Sequence, residues 1–237
     1  MKKYIPNFLT CCNAFVGAIA VVLALKGFLQ TASLLIILAA VFDFLDGFAA
    51  RQLNVTSAIG ADLDSQSDIV SFGLAPAAIL FMWMDFCFAN LPPELKLFPL
   101  TLLPYFAFII VPFSAYRLAK FNNDTRDKSV FYGLSTPANA FFIAFLPFAA
   151  DKLPQLDNFW VLMGLTLIFS ILLIIDFPMF SLKFSSFSFK KNWIRYVFLF
   201  LSAALLGAFQ LAAFPIIILL YILIALIQFG LTKVLQQ

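Results

Sequence analysis

The chain has 237 residues, of which 63% are hydrophobic and 11% are charged, with 32 phenylalanines and a net charge of +3. A soluble domain of this length does not bury so much apolar surface, so the composition excludes an ordinary soluble globular protein. The sequence contains no histidine. Histidine general bases, histidine metal ligands and Ser-His-Asp triads are therefore excluded as well.

Apolar runs near the length of about 20 residues that spans a bilayer recur along the whole chain. They predict an all-α integral membrane protein with about eight transmembrane helices. The predicted spans are residues 8–27, 30–50, 68–88, 98–120, 131–150, 158–177, 193–211 and 213–232. No linker between them is long enough to separate a second domain, so we expect residues 1–237 to form a single membrane domain.

The distribution of lysine and arginine predicts the orientation. If the N-terminus starts in the cytoplasm, only Lys26, Lys96 and Lys152 of the 15 basic residues fall on the outer side. Cytoplasmic loops carry an excess of these residues. The asymmetry therefore predicts cytoplasmic N- and C-termini, as in a protein of a bacterial-type inner membrane. No basic stripe with interleaved aromatic residues occurs outside the spans, so we expect no binding of nucleic acid.

Residues 43–68 hold five of the 12 acidic residues of the chain, namely Asp43, Asp46, Asp62, Asp64 and Asp68. Asp43 and Asp46 lie about 60° apart around the helix at the end of predicted span 2. Residues 64 and 68 have i, i+4 spacing and share one helix face at the start of span 3. These spacings predict a box of four carboxylates at the cytoplasmic ends of helices 2 and 3. Asp62 breaks this register and is predicted to be a solvated loop carboxylate.

Like charges this close need compensation, because two carboxylates about 4 Å apart repel by about 4 kcal/mol at a near-surface dielectric constant. A ligand set made only of oxygen suits Mg²⁺ or Mn²⁺. Four carboxylates are enough for two ions, the arrangement used in phosphoryl transfer. Gly47 and Ala50 leave the helix surface clear for a phosphate or a base, and Arg51 can neutralise a phosphate charge. Gly60 is expected to let the connecting loop turn.

Two other interpretations explain less of this stretch. A capped helix–loop–helix accounts for one or two acids, but not for four at paired spacing beside Arg51. An ion-coupled transporter uses acids near the bilayer midplane, often in interrupted helices, whereas these acids fall at one membrane face.

The stretch matches the pattern D-x2-D-G-x2-A-R-x8-G-x3-D-x3-D at every fixed position and so resembles the CDP-alcohol phosphotransferase family. Four segments are similar to the branch of the family that uses serine as the acceptor. They are Ile-Pro-Asn-Phe-Leu-Thr at 5–10, and residues 63–76, 117–122 and 133–138. The resemblance covers about residues 4–145, and Ser135 and Asn139 depart from it, standing where that branch has Pro and Ala.

The resemblance implies transfer of a phosphatidyl group from CDP-diacylglycerol to the hydroxyl of L-serine, giving phosphatidylserine and CMP. It implies a homodimer in membrane lipid, with two divalent metal ions, Mg²⁺ or Mn²⁺. The implied metal ligands are Asp43, Asp46, Asp64 and Asp68, and Asp68 is also the implied proton acceptor. The implied contacts to CDP-diacylglycerol are Asn7, Thr10, Gly47, Arg51 and Ser57, and the clear surface at Ala50 belongs with them.

The carboxylate of serine would need a cation. The candidates are Arg117, Lys120 and Arg126, at or just after the cytoplasmic end of span 4. The two arginines come first because arginine binds a carboxylate bidentately, although each candidate also fits a positive-inside anchor. Ser71 and Thr136 are candidates for further hydrogen bonds. The same motif fits glycerol 3-phosphate, inositol or inositol phosphate as acceptor, but a phosphorylated acceptor favours a denser basic pocket than residues 117–128 show.

Overall fold

The computed structural model describes residues 4–55, 57–97, 99–125, 130–150, 152–180 and 189–234. These residues are almost all helical, which confirms the all-α class. The nine α-helices of this part of the chain are α1 (Tyr4–Leu25), α2 (Leu29–Leu53), α3 (Ala58–Asp68), α4 (Ala75–Ala89), α5 (Ile110–Asn122), α6 (Thr136–Ala150), α7 (Phe159–Ile174), α8 (Phe189–Phe209) and α9 (Ala213–Val234). A π-helical segment (Ile69–Leu74) joins α3 to α4, and a 3₁₀ segment (Leu100–Ile109) leads into α5.

Five helical stretches in the described residues are long and apolar enough to cross a membrane. They are Tyr4–Leu25, Leu29–Leu53, Ala58–Ala89, Leu100–Asn122 and Asn192–Phe229. Helices α6 and α7 are apolar but shorter. Large hydrophobic side chains such as Phe8, Phe15 and Phe200 are exposed on the helix surfaces, as expected where lipid covers them. The chain is therefore an integral membrane protein, and the number of eight spans stays a prediction.

Two helices begin at residues that differ from the starts of the predicted spans. The helix that carries the second pair of aspartates begins at Ala58 rather than near residue 68, because Ser57 caps it by accepting a 3.0 Å hydrogen bond from the Gly60 N–H. The predicted fifth span begins too early. Its first residues instead belong to β1 (Val130–Tyr132), which pairs antiparallel with β2 (Pro178–Phe180), and helix α6 begins only at Thr136.

Small residues let the first two helices pack closely at the centre of the protein. Ala20, Ala24, Ala32 and Ala39 are fully buried in α1 and α2. Around them, Phe72 and Phe145 complete an apolar cluster that includes the π-helical segment and α6. This core fixes the relative height of α1, α2 and the α3–α4 helix, and it therefore determines which polar residues meet at their ends.

The α3–π segment is held against α1 by two hydroxyl groups one turn apart. Ser67 Oγ donates to Thr10 O at 2.9 Å, and Ser71 Oγ donates to Asn13 O at 3.0 Å. Gly17 allows this approach, since a Cβ at that position would lie 2.8 Å from Ser71 Cα. The Ser71 hydroxyl is thus engaged with α1. The acidic face of α3 is fixed in the same way beside the start of α1.

Candidate active site

Three aspartates meet where α2 and α3 come together. Asp43 belongs to α2, and Asp64 and Asp68 lie one turn apart on α3. One carboxylate oxygen from each residue lies within 4.8 Å of those from the other two. Asp43 and Asp64 are half-buried and Asp68 is buried, so these charges are largely removed from water.

Asp46, the fourth predicted ligand, lies beside this group but is not part of it. Its carboxylate interacts electrostatically with Asp43 and Asp64. Its Oδ2 atom accepts a 2.6 Å hydrogen bond from Thr10 Oγ1 on α1. The structure therefore brings three of the four predicted metal ligands together, and α1 holds the fourth in place next to them.

A cavity of about 240 Å³ opens beside the aspartates. Five of the six residues predicted to contact CDP-diacylglycerol line it, together with two of the aspartates: Asn7, Thr10, Gly47, Ala50, Ser57, Asp46 and Asp64. The sixth residue, Arg51, is exposed, and its Nη1 atom would lie 3.3 Å from a Cβ built at Gly47. The Arg51 cation is therefore next to the wall of the cavity.

Two expectations about this stretch are wrong in detail. Gly60 does not turn a loop, since it lies in the first turn of α3. A Cβ at Gly60 would lie 2.9 Å from Ser57 Oγ and 3.2 Å from Asn7 Oδ1, so the absence of a side chain lets two cavity-lining groups approach. Asp62 is exposed as expected, but it lies within α3 rather than in a loop.

The candidates for binding the acceptor separate in the structure. Arg117 is buried on α5, with its guanidinium 4.9 Å from the centre of the Phe121 ring, and it is close enough to Asp68 for electrostatic interaction. Lys120 instead forms a 2.9 Å ion pair with Asp176 and donates to Ile174 O at 3.3 Å. Arg126 lies outside the described residues. Arg117 is therefore the described candidate that lies near the aspartates.

Two buried polar residues, one on α1 and one on α5, were not predicted from the sequence. Asn13 on α1 and Ser114 on α5 are both fully buried, and Asn13 Oδ1 and Ser114 Oγ have no hydrogen-bond partner among the described residues. The same is true of Thr136 and Asn139 in the first turn of α6. Polar side chains inside predicted spans are a signal of function, and this signal would have identified Asn13.

The three close carboxylates fit a divalent cation. All their donor atoms are oxygen, the ligand type that Mg²⁺ and Mn²⁺ prefer. Asp68 Oδ1 is buried and has no hydrogen-bond partner in the described part of the chain. A buried anionic oxygen without a partner is costly, and a cation bound between the three residues would satisfy it.

Comparison with known proteins gives a consistent result. The family model described as CDP-alcohol phosphatidyltransferase matches residues 3–172. A CDP-diacylglycerol–serine O-phosphatidyltransferase of Helicobacter pylori is 28% identical over 176 residues, covering 70% of each chain. An archaetidylserine synthase of Methanothermobacter thermautotrophicus is 34% identical over 143 residues, covering 59% of this chain and 56% of its own. A CDP-diacylglycerol–serine O-phosphatidyltransferase of Bacillus subtilis is 39% identical over 79 residues, covering 33% of this chain and 45% of its own.

Proposed function

The chain belongs to the CDP-alcohol phosphatidyltransferase family, and on this premise we propose that it transfers the phosphatidyl group of CDP-diacylglycerol to L-serine. The products are phosphatidylserine and CMP, and the role is phospholipid biosynthesis. The observation that carries the proposal is the group of three carboxylates beside a cavity lined by the residues expected to contact CDP-diacylglycerol. The serine acceptor is supported by the similar proteins from Helicobacter pylori and Bacillus subtilis, both of which are named CDP-diacylglycerol–serine O-phosphatidyltransferases.

The cavity would hold the nucleotide part of the lipid donor. Thr10 and Asn7 enter it from α1, Gly47 and Ala50 from α2, and Ser57 from the start of α3. Arg51 lies next to Gly47 and would pair with a phosphate of the donor. Since the cavity lies on the side of the predicted spans where most of the basic residues fall, we place it at the cytoplasmic face of a bacterial-type inner membrane.

Asp43, Asp46, Asp64 and Asp68 would hold two divalent ions, Mg²⁺ or Mn²⁺. When bound, such ions neutralise the diphosphate and stabilise the charge that develops during phosphoryl transfer. Thr10 would keep the Asp46 carboxylate oriented toward the cavity through its hydrogen bond.

The residues of the chain would perform the remaining steps. Asp68 would accept the proton from the serine hydroxyl as its oxygen attacks the phosphorus that carries the diacylglycerol. The bond from that phosphorus to the oxygen bridging to CMP breaks, so that CMP leaves with its bond electrons. Arg117 would bind the serine carboxylate, because a buried guanidinium near Asp68 suits a carboxylate group. We favour this direct displacement over a covalent enzyme intermediate because the motif contains no histidine, cysteine or lysine.

The experiment that tests this proposal measures release of CMP from CDP-diacylglycerol by membranes that contain the protein. Addition of L-serine together with Mg²⁺ or Mn²⁺ is expected to start the release, and chelation of the metal is expected to stop it. Glycerol 3-phosphate and inositol serve as competing acceptors in the same assay. CMP release that depends on glycerol 3-phosphate or inositol rather than on serine would show that this compound is the acceptor. Absence of CMP release with every acceptor would show that the protein is not such a transferase. We also propose a homodimer, which crosslinking in the membrane would test.

A further inference from the structure

A buried polar cluster includes Asp68 but lies outside the lining of the nucleotide cavity. It consists of Asn13 from α1, Asp68 from α3, and Ser114 and Arg117 from α5. Asn13 and Ser114 are 0% exposed, Arg117 is 7% exposed and Asp68 is 8% exposed. None of these four residues is among those that line the cavity. Asp68 is therefore the member of the carboxylate group that belongs to the cluster.

Asp68 interacts with cluster residues on both of its sides. The side chain of Asn13 on α1 donates a hydrogen bond to the Asp68 carboxylate, and Arg117 on α5 interacts with it electrostatically. Ser114 lies one turn before Arg117, and positions with this i, i+3 spacing share a helix face. Gly73 of the π-helical segment lies opposite Ser114, where a Cβ would be 3.3 Å from Ser114 Cβ. The absence of a side chain at Gly73 thus lets the π-helical segment pack closely against Ser114.

Some polar atoms of the cluster are not satisfied by the protein. Asn13 Oδ1 and Ser114 Oγ have no hydrogen-bond partner among the residues that the structure describes. Buried polar atoms are almost always hydrogen-bonded, and each exception requires an explanation. The unpaired atoms of Asn13 and Ser114 are both explained if a small polar ligand binds between α1 and α5, beside the Asp68 carboxylate.

We infer that Asn13 and Ser114 bind the acceptor amino acid and determine its specificity. This inference rests on the proposed function and adds residues to it. Ser114 and Arg117, on one face of α5, would bind the carboxylate of the acceptor. Asn13 Oδ1 would accept a hydrogen bond from the ammonium group of the acceptor. The hydroxyl group of the acceptor would then face Asp68.

The charges of the cluster favour a zwitterion over a phosphorylated alcohol. Arg117 is its one cation and Asp68 its one carboxylate, and the other two residues are neutral amide and hydroxyl groups. An amino acid carries one charge of each sign. A phosphate monoester carries about −1.5 to −2 charges near neutral pH, which Arg117 alone would not balance beside Asp68. The cluster therefore selects a small amino alcohol that also has a carboxylate.

The test uses the purified full-length protein and its Asn13→Ala and Ser114→Ala variants. The Michaelis constants for L-serine and for CDP-diacylglycerol are measured separately. Each variant is expected to raise the serine KM roughly tenfold, as the loss of one hydrogen bond to a charged group would do, and to leave the CDP-diacylglycerol KM within about twofold. Ser202→Ala is the matched control, because Ser202 Oγ also lacks a partner among the described residues but lies on α8, which packs against α9.

Thermal unfolding separates binding from a structural role. If Ser114 Oγ is unsatisfied until serine binds, Ser114→Ala removes a costly group, and Tm without serine is expected to rise by about 2–4 °C. A hydroxyl with a structural hydrogen bond would give a fall in Tm instead. Addition of L-serine is expected to raise Tm of the wild-type protein, and to raise Tm of the variant less at the same concentration.

The outcomes distinguish this inference from the proposed function. If the wild-type protein releases no CMP on addition of serine, the proposed function fails and the inference fails with it. If the wild-type protein responds to serine but both variants keep its KM, the inference alone is wrong. An equal rise in both Michaelis constants, or the same rise in Ser202→Ala, would also overturn it. Should Asn13→Ala not accumulate in the membrane, the kinetics and Tm of Ser114→Ala alone decide the question.

Discussion

Thr10 Oγ1 donates a 2.6 Å hydrogen bond to Asp46 Oδ2, joining α1 to α2 across 36 residues of sequence. The same hydroxyl lies 3.0 Å from Pro6 O, and the backbone carbonyl of Thr10 accepts a hydrogen bond from Ser67 on α3. One residue of α1 therefore contacts both helices that carry the aspartates. This contact makes α1 part of the candidate active site, although α1 contributes no charged group to it.

Replacement of Thr10 by valine keeps the shape of the side chain but removes the donor to Asp46. A hydrogen bond to a charged group contributes about 1.5–3 kcal/mol, so we expect kcat/KM to fall by roughly 10- to 100-fold. Thr10→Ser keeps the hydroxyl and is expected to retain most of the activity. The measurement is CMP release at a series of metal concentrations. Equal activity of the valine and serine variants would show that the hydrogen bond has no role.

The close approach of the carboxylates predicts that Asp64→Asn changes Tm in opposite directions, relative to the wild type, without and with metal. The carboxylate oxygens lie within 4.8 Å of one another, and two unit charges at that distance repel by about 3.5 kcal/mol at a near-surface dielectric constant. In a chelator, Asp64→Asn removes a repelling charge, so its Tm is expected to exceed that of the wild type. With Mn²⁺ or Mg²⁺ present, the wild type is expected to gain Tm and the variant to gain much less. An equal gain in both proteins would place the bound metal elsewhere.

Asp68 and Asp62 provide a matched pair of acids on the same helix. Asp68 is buried next to Asp43, whereas Asp62 is exposed. We expect Asp68→Asn to reduce kcat by at least about 100-fold, the lower range for loss of a general base. The variant should still insert into the membrane and bind CDP-diacylglycerol. Asp62→Asn should stay within about twofold of the wild type. A near wild-type kcat for Asp68→Asn would disprove the assignment of the base.

The part of the site that depends on local spacing could be predicted from the sequence. The i, i+4 spacing of Asp64 and Asp68 predicted one shared helix face, and both lie on α3 one turn apart. The bond from Ser71 to Asn13 O joins residues 58 positions apart. Such a bond depends on how α1 packs against the π-helical segment, and hydropathy patterns do not specify that packing. For the same reason, the pairing of β1 with β2 was not expected.

The lack of a side chain at Gly60 is predicted to be important for binding CDP-diacylglycerol, although Gly60 lies within a helix. In Gly60→Ala, the new Cβ would lie 2.9 Å from Ser57 Oγ. Ser57 must then rotate and lose its cap on α3, which costs about 1 kcal/mol, and the wall of the cavity moves with it. We therefore expect a KM for CDP-diacylglycerol that is raised roughly tenfold, one factor of ten for each 1.4 kcal/mol of lost binding.

Gly164 on α7 is the control for this substitution. A Cβ at Gly164 would have no atom within 4 Å, so Gly164→Ala should leave both Michaelis constants unchanged. It should also stabilise the helix by about 0.5–1 kcal/mol. If Gly60→Ala behaves like Gly164→Ala, the close approach at Gly60 does not shape the nucleotide site.

Arg117 and Lys120 lie one turn apart on α5, yet we expect them to differ in their effect on serine. Arg117 is buried near Asp68, whereas Lys120 is half-exposed and paired with Asp176. Arg117→Ala is expected to raise the serine KM by roughly 10- to 100-fold, since it removes a charged hydrogen-bond donor, with a much smaller change in the KM for CDP-diacylglycerol. Arg117→Lys keeps the charge but loses the bidentate geometry. Its serine KM should therefore lie between that of the wild type and that of Arg117→Ala.

Lys120→Ala breaks an ion pair whose partners are 31% and 54% exposed, and such exposed pairs contribute at most about 1 kcal/mol to stability. We therefore expect a small fall in Tm and a serine KM within about twofold of the wild type. Steady-state kinetics with each substrate varied in turn measures all three variants. A uniform loss on both substrates in Arg117→Ala would indicate a structural role for Arg117. A larger effect of Lys120→Ala on the serine KM would move the carboxylate site toward the end of α5, because the ion pair with Asp176 would then have to open when serine binds.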